Sequence, residues 1–171
     1  LFGAGREFFV LPEAVIEESV ATLPGLDGRK MSKSYDNTVP LFEGGAKGLK
    51  AAVARIVTDS RLPGEPKDPD SCALMPIYRA FAAADDATAF RQALVEGLGW
   101  GEAKQRLTDL IERELAPQCE RYAALIARPA DIEELLQIGA KKARAIATPF
   151  LAELRAAVGL RALQVDKSGS Q

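Results

Sequence analysis

Ala103-Lys104-Gln105-Arg106-Leu107-Thr108-Asp109-Leu110-Ile111-Glu112-Arg113-Glu114-Leu115 repeats apolar residues every three or four positions and keeps charges between them. That rhythm puts Ala103, Leu107, Leu110, Ile111 and Leu115 on one stripe of a helix that must be covered by something else. Downstream, Pro117 is expected to kink the helix before Tyr122, Leu125 and Ile126 continue it. Asp131 opens a short helix through Leu135 and Leu136, and Gly139 breaks it. A last helix then carries Ala143, Ala147, Phe150, Leu151 and Leu154, with Pro149 kinking or dividing it. Upstream, Asp85-Asp86 should cap a helix whose buried face is Phe90 and Leu94 and which stops at Gly97-Leu98-Gly99. Before it, Leu74 to Ala84 aligns Ile77, Tyr78 and Phe81. Leu49, Val53, Ile56 and Val57 predict an earlier helix of roughly three turns. The fold class expected is mainly α, a helical bundle attached to the C-terminal stub of an α/β domain.

The rest of the chain connects these helices. Arg61 to Ser71, with Pro63, Pro66, Pro69 and Gly64 among charges, reads as a surface linker or a pinned loop. Phe8-Phe9-Val10-Leu11 is β-prone and ended by Pro12, so it reads as a strand or an extended approach to a loop. The tail Asp166 to Gln171 is polar and expected to fray. No repeat of fixed period is visible.

Composition narrows the chemistry. In 171 residues, 47% hydrophobic and 27% charged, no apolar run reaches membrane-spanning length. The opening Leu1-Phe2-Gly3-Ala4-Gly5-Arg6 has no initiator Met and no signal-peptide order, so the chain is expected to begin inside a larger protein. Cys72 and Cys119 have no second Cys at metal-ligand spacing and read as reduced core thiols. The absence of His removes Ser-His and Cys-His nucleophile arrangements and leaves chemistry to Lys, Arg, carboxylates, hydroxyls or backbone amides. A net charge of -2 gives no global push toward nucleic acid. Local basic clusters stand at Arg29-Lys30 with Lys33, at Lys47 and Lys50, and at Lys141-Lys142 with Arg144.

From Pro24 to Thr38 the chain concentrates Gly, Asp, Asn and Ser, a long polar loop. Within it Lys30-Met31-Ser32-Lys33-Ser34 sets two ammonium groups three residues apart beside two hydroxyls and backbone amides expected to be unpaired. Lysine offers a compact positive charge to phosphate oxygens, and free N–H groups would add an anion-binding concavity. A lysine beside a departing pyrophosphate stabilises the transition state more than the ground state, and needs no proton transfer. The bland reading of the same residues is a solvated basic turn.

Those five residues are the full signature of class I aminoacyl-tRNA synthetases. With Leu23-Pro24-Gly25-Leu26-Asp27-Gly28-Arg29 before them and Tyr35-Asp36-Asn37-Thr38-Val39-Pro40-Leu41 after them, the stretch resembles the tryptophanyl branch. The resemblance continues through Ile56-Val57-Thr58-Asp59-Ser60, Lys67-Asp68-Pro69 and Gly139-Ala140-Lys141-Lys142-Ala143-Arg144, and so covers nearly the whole chain. It implies that Lys30 and Lys33 contact the ATP phosphates and close over them, that Met31, Ser32 and Ser34 help form the binding loop, and that backbone near Ala21 lies by the adenine. It implies Mg2+ with the ATP, with no metal ligand from this chain. Residues 1–45 would be the end of a Rossmann-like catalytic domain and 46–171 a helical domain meeting the anticodon stem of tRNA(Trp). The family's His-Ile-Gly-His element and tryptophan pocket lie upstream, so the chain alone should not make tryptophanyl adenylate. The family is usually a cytoplasmic homodimer whose dimer surface is largely upstream. A tyrosine–tRNA ligase, with a similar fold and loop, is the alternative enzyme; a tRNA-binding module without catalysis is the alternative outside enzymes.

Three further residue sets have two readings each. Lys141, Lys142 and Arg144, expected at a helix start where the helix dipole disfavours cations, are either an RNA-backbone contact or a solvated face. Trp100 stacks on a base or fills a core or cap position. Asp85 and Asp86 are caps rather than an acid–base pair.

Overall fold

The computed structural model describes residues 7–16 and 21–160. Five helices follow one another: α1 (Gly45–Ala54), α2 (Leu74–Phe81), α3 (Ala84–Val95), α4 (Trp100–Ile126) and α5 (Pro129–Ala157). The chain divides into two units, Val15–Ala124 and Leu1–Ala14 with Leu125–Gln171. Among the described residues no strand forms, and the only pairing is an isolated antiparallel bridge between Pro24 and Lys30. The mainly helical class is as expected.

The core of the first unit follows the apolar stripes. Ala103, Leu107 and Ile111 of α4 are fully buried, against Leu49, Val53 and Ile56 from α1 and its end, Leu74, Met75 and Ile77 of α2, and Phe90 and Leu94 of α3. Tyr78 of α2 stacks on Phe90 of α3 with ring centroids 3.9 Å apart and planes 5° from parallel. Removing side chains this large from water contributes about 1.5–3 kcal/mol each, which is what sets the stripe's register.

The connection from Arg61 to Ser71 is pinned. Lys67 is 2% exposed. Its ammonium donates to the carbonyls of Leu62 (3.0 Å) and Glu65 (2.9 Å) and lies 5.4 Å from the centre of the Trp100 ring. Gly97, at φ 100°, accepts at its carbonyl from the Gly64 amide, and a side chain there would collide with the Gly64 backbone. Trp100 opens α4, packs half-buried against the core and donates its indole N–H to Asp59 at 2.8 Å. That is the core reading of Trp100 rather than a free stacking surface.

Several local expectations are corrected. Of the two readings of Phe8 to Leu11, the strand does not form, because no second strand is present in the described residues to complete a ladder, and the approach to a loop stands. Instead Phe8 and Phe9 meet Phe150 of α5 edge-on, at centroid distances of 6.4 and 5.7 Å. Asp85 and Asp86 do not cap α3. Ala83 holds that position, and the aspartates occupy the first turn, where the positive end of the helix dipole favours them. Val57 is 62% exposed, because α1 ends at Ala54 and the helical spacing no longer applies to it. Gly139 does not break the chain: α5 is one helix of 29 residues, entered by Pro129 and continuous through Gly139 and Pro149. A mid-helix glycine costs only about 1 kcal/mol relative to alanine, which a long helix tolerates. α4 continues through Pro117 to Ile126, as expected. The tail Asp166 to Gln171 lies outside the described residues.

No helix among the described residues is long and apolar enough to cross a membrane. Cys72, just before α2, is buried, which pushes its thiol above the ordinary range; Cys119 is half-buried on α4, and both are free.

Candidate functional site

The loop is built around Asn37. Its side chain is 2% exposed although its neighbours Tyr35 and Asp36 face solvent. The amide donates to Asp27 Oδ1 (2.7 Å) and to the Lys30 carbonyl (3.3 Å), and its oxygen accepts from the Ser32 N–H (2.8 Å). A side chain on Gly25 would collide with it, so only glycine lets the two halves of the loop close around this residue. The Leu26 N–H donates to the Asn37 carbonyl (2.9 Å), and the Leu26 carbonyl accepts from the Val57 N–H beyond α1 (2.9 Å). The loop base is therefore tied to the helical core at both Leu26, which is buried, and Val57.

Asp27 takes a second partner, Arg29, whose backbone N–H and guanidinium both donate to it, at 3.1 and 2.7 Å. The Asn37 amide, seconded by Arg29, holds the Asp27 carboxyl below its ordinary range. The Arg29 guanidinium also lies over the Tyr35 ring, 4.2 Å from its centre.

On that base stands a single turn of 3-10 helix, Lys33–Tyr35, capped by Ser32, whose hydroxyl accepts from the Ser34 N–H at 3.2 Å, and closed by Asp36 in the left-handed region at φ 49°. Five of the amides in and beside the signature, expected to be free, are occupied. Met31 donates to Leu23, Ser32 to Asn37, Ser34 to Ser32, Tyr35 to Ser32 and Asp36 to Lys33. Side-chain oxygens of Asn37 and Ser32 take two of these donors and backbone carbonyls take the other three, so no open concavity of N–H groups forms from these five. What the turn presents is side chains: Lys30, Lys33 and Ser34 are exposed, and Met31 and Ser32 half-buried. Among the described residues neither Lys30 nor Lys33 has an ion-pair partner. Ala21, the residue expected near adenine, is exposed at the entry to the loop.

A tryptophan–tRNA ligase of Pseudomonas aeruginosa is 71% identical over 164 residues, 96% of this chain and 36% of its own length. That of Bordetella pertussis is 64% identical over 160 residues, 94% of this chain and 36% of its own. The chain matches the C-terminal part of tryptophan–tRNA ligases. It spans about a third of the length of these relatives. A crystal structure of tryptophanyl-tRNA synthetase from Campylobacter jejuni, complexed with ADP and tryptophan, superposes with a TM-score of 0.75 at 36% identity, over 90% of this chain and 48% of that one. A second structure of the Campylobacter jejuni synthetase gives 0.71 at 35%. No protein-family model matches. The match to tryptophan–tRNA ligases favours that branch over the tyrosine alternative.

The remaining candidates fall elsewhere. Lys141, Lys142 and Arg144 are exposed, but they lie in the middle of α5 and not at a helix start. The dipole argument for them therefore fails, and only their exposure and charge remain. Missed from sequence was Asn37. A turn-forming asparagine and a buried hub look identical in a sequence, and only the tight Gly25 next to the Asp27-Gly28 pair hints that something must fit inside the loop.

Proposed function

We propose that this chain supplies the lysine loop and the helical tRNA-facing part of a tryptophan–tRNA ligase, which activates tryptophan with ATP and transfers it to tRNA(Trp). The observation that carries this is the identity with tryptophan–tRNA ligases over nearly the whole chain, combined with a loop whose two signature ammonium groups are exposed and without ion-pair partners among the described residues. Lys30 and Lys33 would contact the phosphates of ATP. Charge that builds on the departing pyrophosphate would then be met by a lysine already in place, which lowers the barrier without moving a proton. Met31, Ser32 and Ser34 form the turn that presents them, and backbone near Ala21 lies by the adenine. The described residues gather no group of three or more His, Cys, Asp or Glu that could hold a metal. Magnesium would come with the ATP, held through its phosphates.

Residues 1–45 belong in this reading to the catalytic domain and 46–171 to the tRNA-binding domain, with Lys141, Lys142 and Arg144 as backbone contacts to tRNA. The whole protein is a cytoplasmic homodimer. The deciding experiment is ATP–pyrophosphate exchange by the full-length protein that carries this chain. Exchange that depends on tryptophan and not on tyrosine is the expected result. Exchange driven by tyrosine would reassign the substrate, and tRNA(Trp) binding with no exchange would favour a binding module.

A further inference from the structure

Beside the loop, Pro24, Gly28 and Lys30 line a cleft of about 240 Å³ together with Asp70, Ser71 and Cys72 from the segment that leads into α2. An aspartate lining the same cleft as a phosphate-seeking lysine is a competitor, since its carboxylate offers the ammonium the charge a phosphate oxygen would offer. Yet Asp70 does not take Lys30. Both of its oxygens are held by Arg91 of α3, Nη1 donating to Oδ1 and Nη2 to Oδ2, each at 2.6 Å. This parallel fork is the geometry that best satisfies a carboxylate. Arg79 of α2 adds a further attraction on Asp70. Lys30 has no ion-pair partner among the described residues.

We propose that Arg91 is a positioning residue for the lysine loop: by occupying the Asp70 carboxylate it keeps Lys30 unpaired and open to the phosphates of a nucleoside triphosphate. The proposal rests on the reading that Lys30 meets ATP. Without Arg91, Asp70 loses both of its hydrogen bonds, keeps only the weaker attraction of Arg79, and can turn across the cleft to capture Lys30. Apparent ATP affinity then falls in proportion to the fraction of molecules in which the lysine remains free. Arg91 touches neither substrate nor the reacting atoms, and its effect is confined to the ATP side of the reaction.

The test is tryptophan-dependent pyrophosphate exchange by the full-length protein, with KM for ATP, KM for tryptophan and kcat measured for each variant. Arg91→Ala is expected to raise the KM for ATP roughly two- to fivefold, the size an exposed ion pair allows, with kcat and the KM for tryptophan unchanged. Asp70→Asn alone stays near wild type, because it removes the competitor together with its guard's task. The double variant Asp70→Asn/Arg91→Ala returns to wild type, and Arg91→Lys, which keeps a cation on Asp70, lies between. An ion pair that merely holds the fold makes the two single variants equally damaging and the double no better, and that pattern overturns the proposal. Lys30→Ala separates the two levels. If it leaves the KM for ATP unchanged, the reading of Lys30 fails and the proposal with it; if it raises that KM while Arg91→Ala does not, the reading stands and only the guarding role is overturned.

Discussion

Asn37 shows how one buried amide can organise an exposed loop. It holds Asp27, the Lys30 carbonyl and the Ser32 N–H, so Asn37→Ala takes this partner from the half-buried Ser32 donor and from the Lys30 carbonyl, while Asp27 keeps Arg29. Each lost hydrogen bond costs about 0.5–1.5 kcal/mol, and the loss should stay in the loop because Leu26, its buried link to the core, keeps its bond to Val57. Hydrogen exchange at the Leu26 and Ser32 amides should accelerate roughly tenfold to a hundredfold, with α4 unaffected; unchanged rates would show that Asn37 is not the hub. The same loop has a pH signature. The folded chain holds the Asp27 carboxyl below its ordinary value, so its contribution is present above the unfolded aspartate range and is lost as pH falls through the folded value. Loop protection should therefore persist at neutral pH and decline in acid. Asp27→Asn should remove that decline.

At the scale of elements, spacing was legible where a helix face meets a core. Ala103, Leu107 and Ile111 were placed correctly by three- and four-residue spacing alone, as were Phe90 and Leu94. Glycine was the point of failure, because it signals a break at Gly97 and at Gly139 alike. At Gly97 the backbone takes φ 100° and the helix has ended; at Gly139 it stays helical. A Cβ at Gly139 would meet nothing within 4 Å. Gly139→Ala should accordingly stabilise α5 by about 0.5–1 kcal/mol, raising the thermal midpoint by roughly 1–4 °C. A lower midpoint would mean that α5 is interrupted there. The burial of Lys67 was hidden for the opposite reason: a lysine in a proline-rich charged stretch reads as surface, while two carbonyls and an indole face provide it with a buried seat.

For the molecule as a whole, composition excluded more than it assigned. A net charge of -2 and the absence of His left the lysine loop as the one place where chemistry was visible, and its signature was readable because its residues are contiguous. The restraints that shape it were not. Asn37 to Asp27 spans ten residues, and the pair Asp70 and Arg91 spans 21; no short-range pattern encodes either. The central claim, that the loop acts on the phosphates of ATP, is tested most directly by Lys33→Ala in the full-length protein, through the rate of tryptophan-dependent ATP–pyrophosphate exchange. Loss of a donor that meets charge only in the transition state should lower that rate by about 10²- to 10³-fold, with a smaller change in tryptophan affinity. A rate equal to that of the unsubstituted protein would contradict the account.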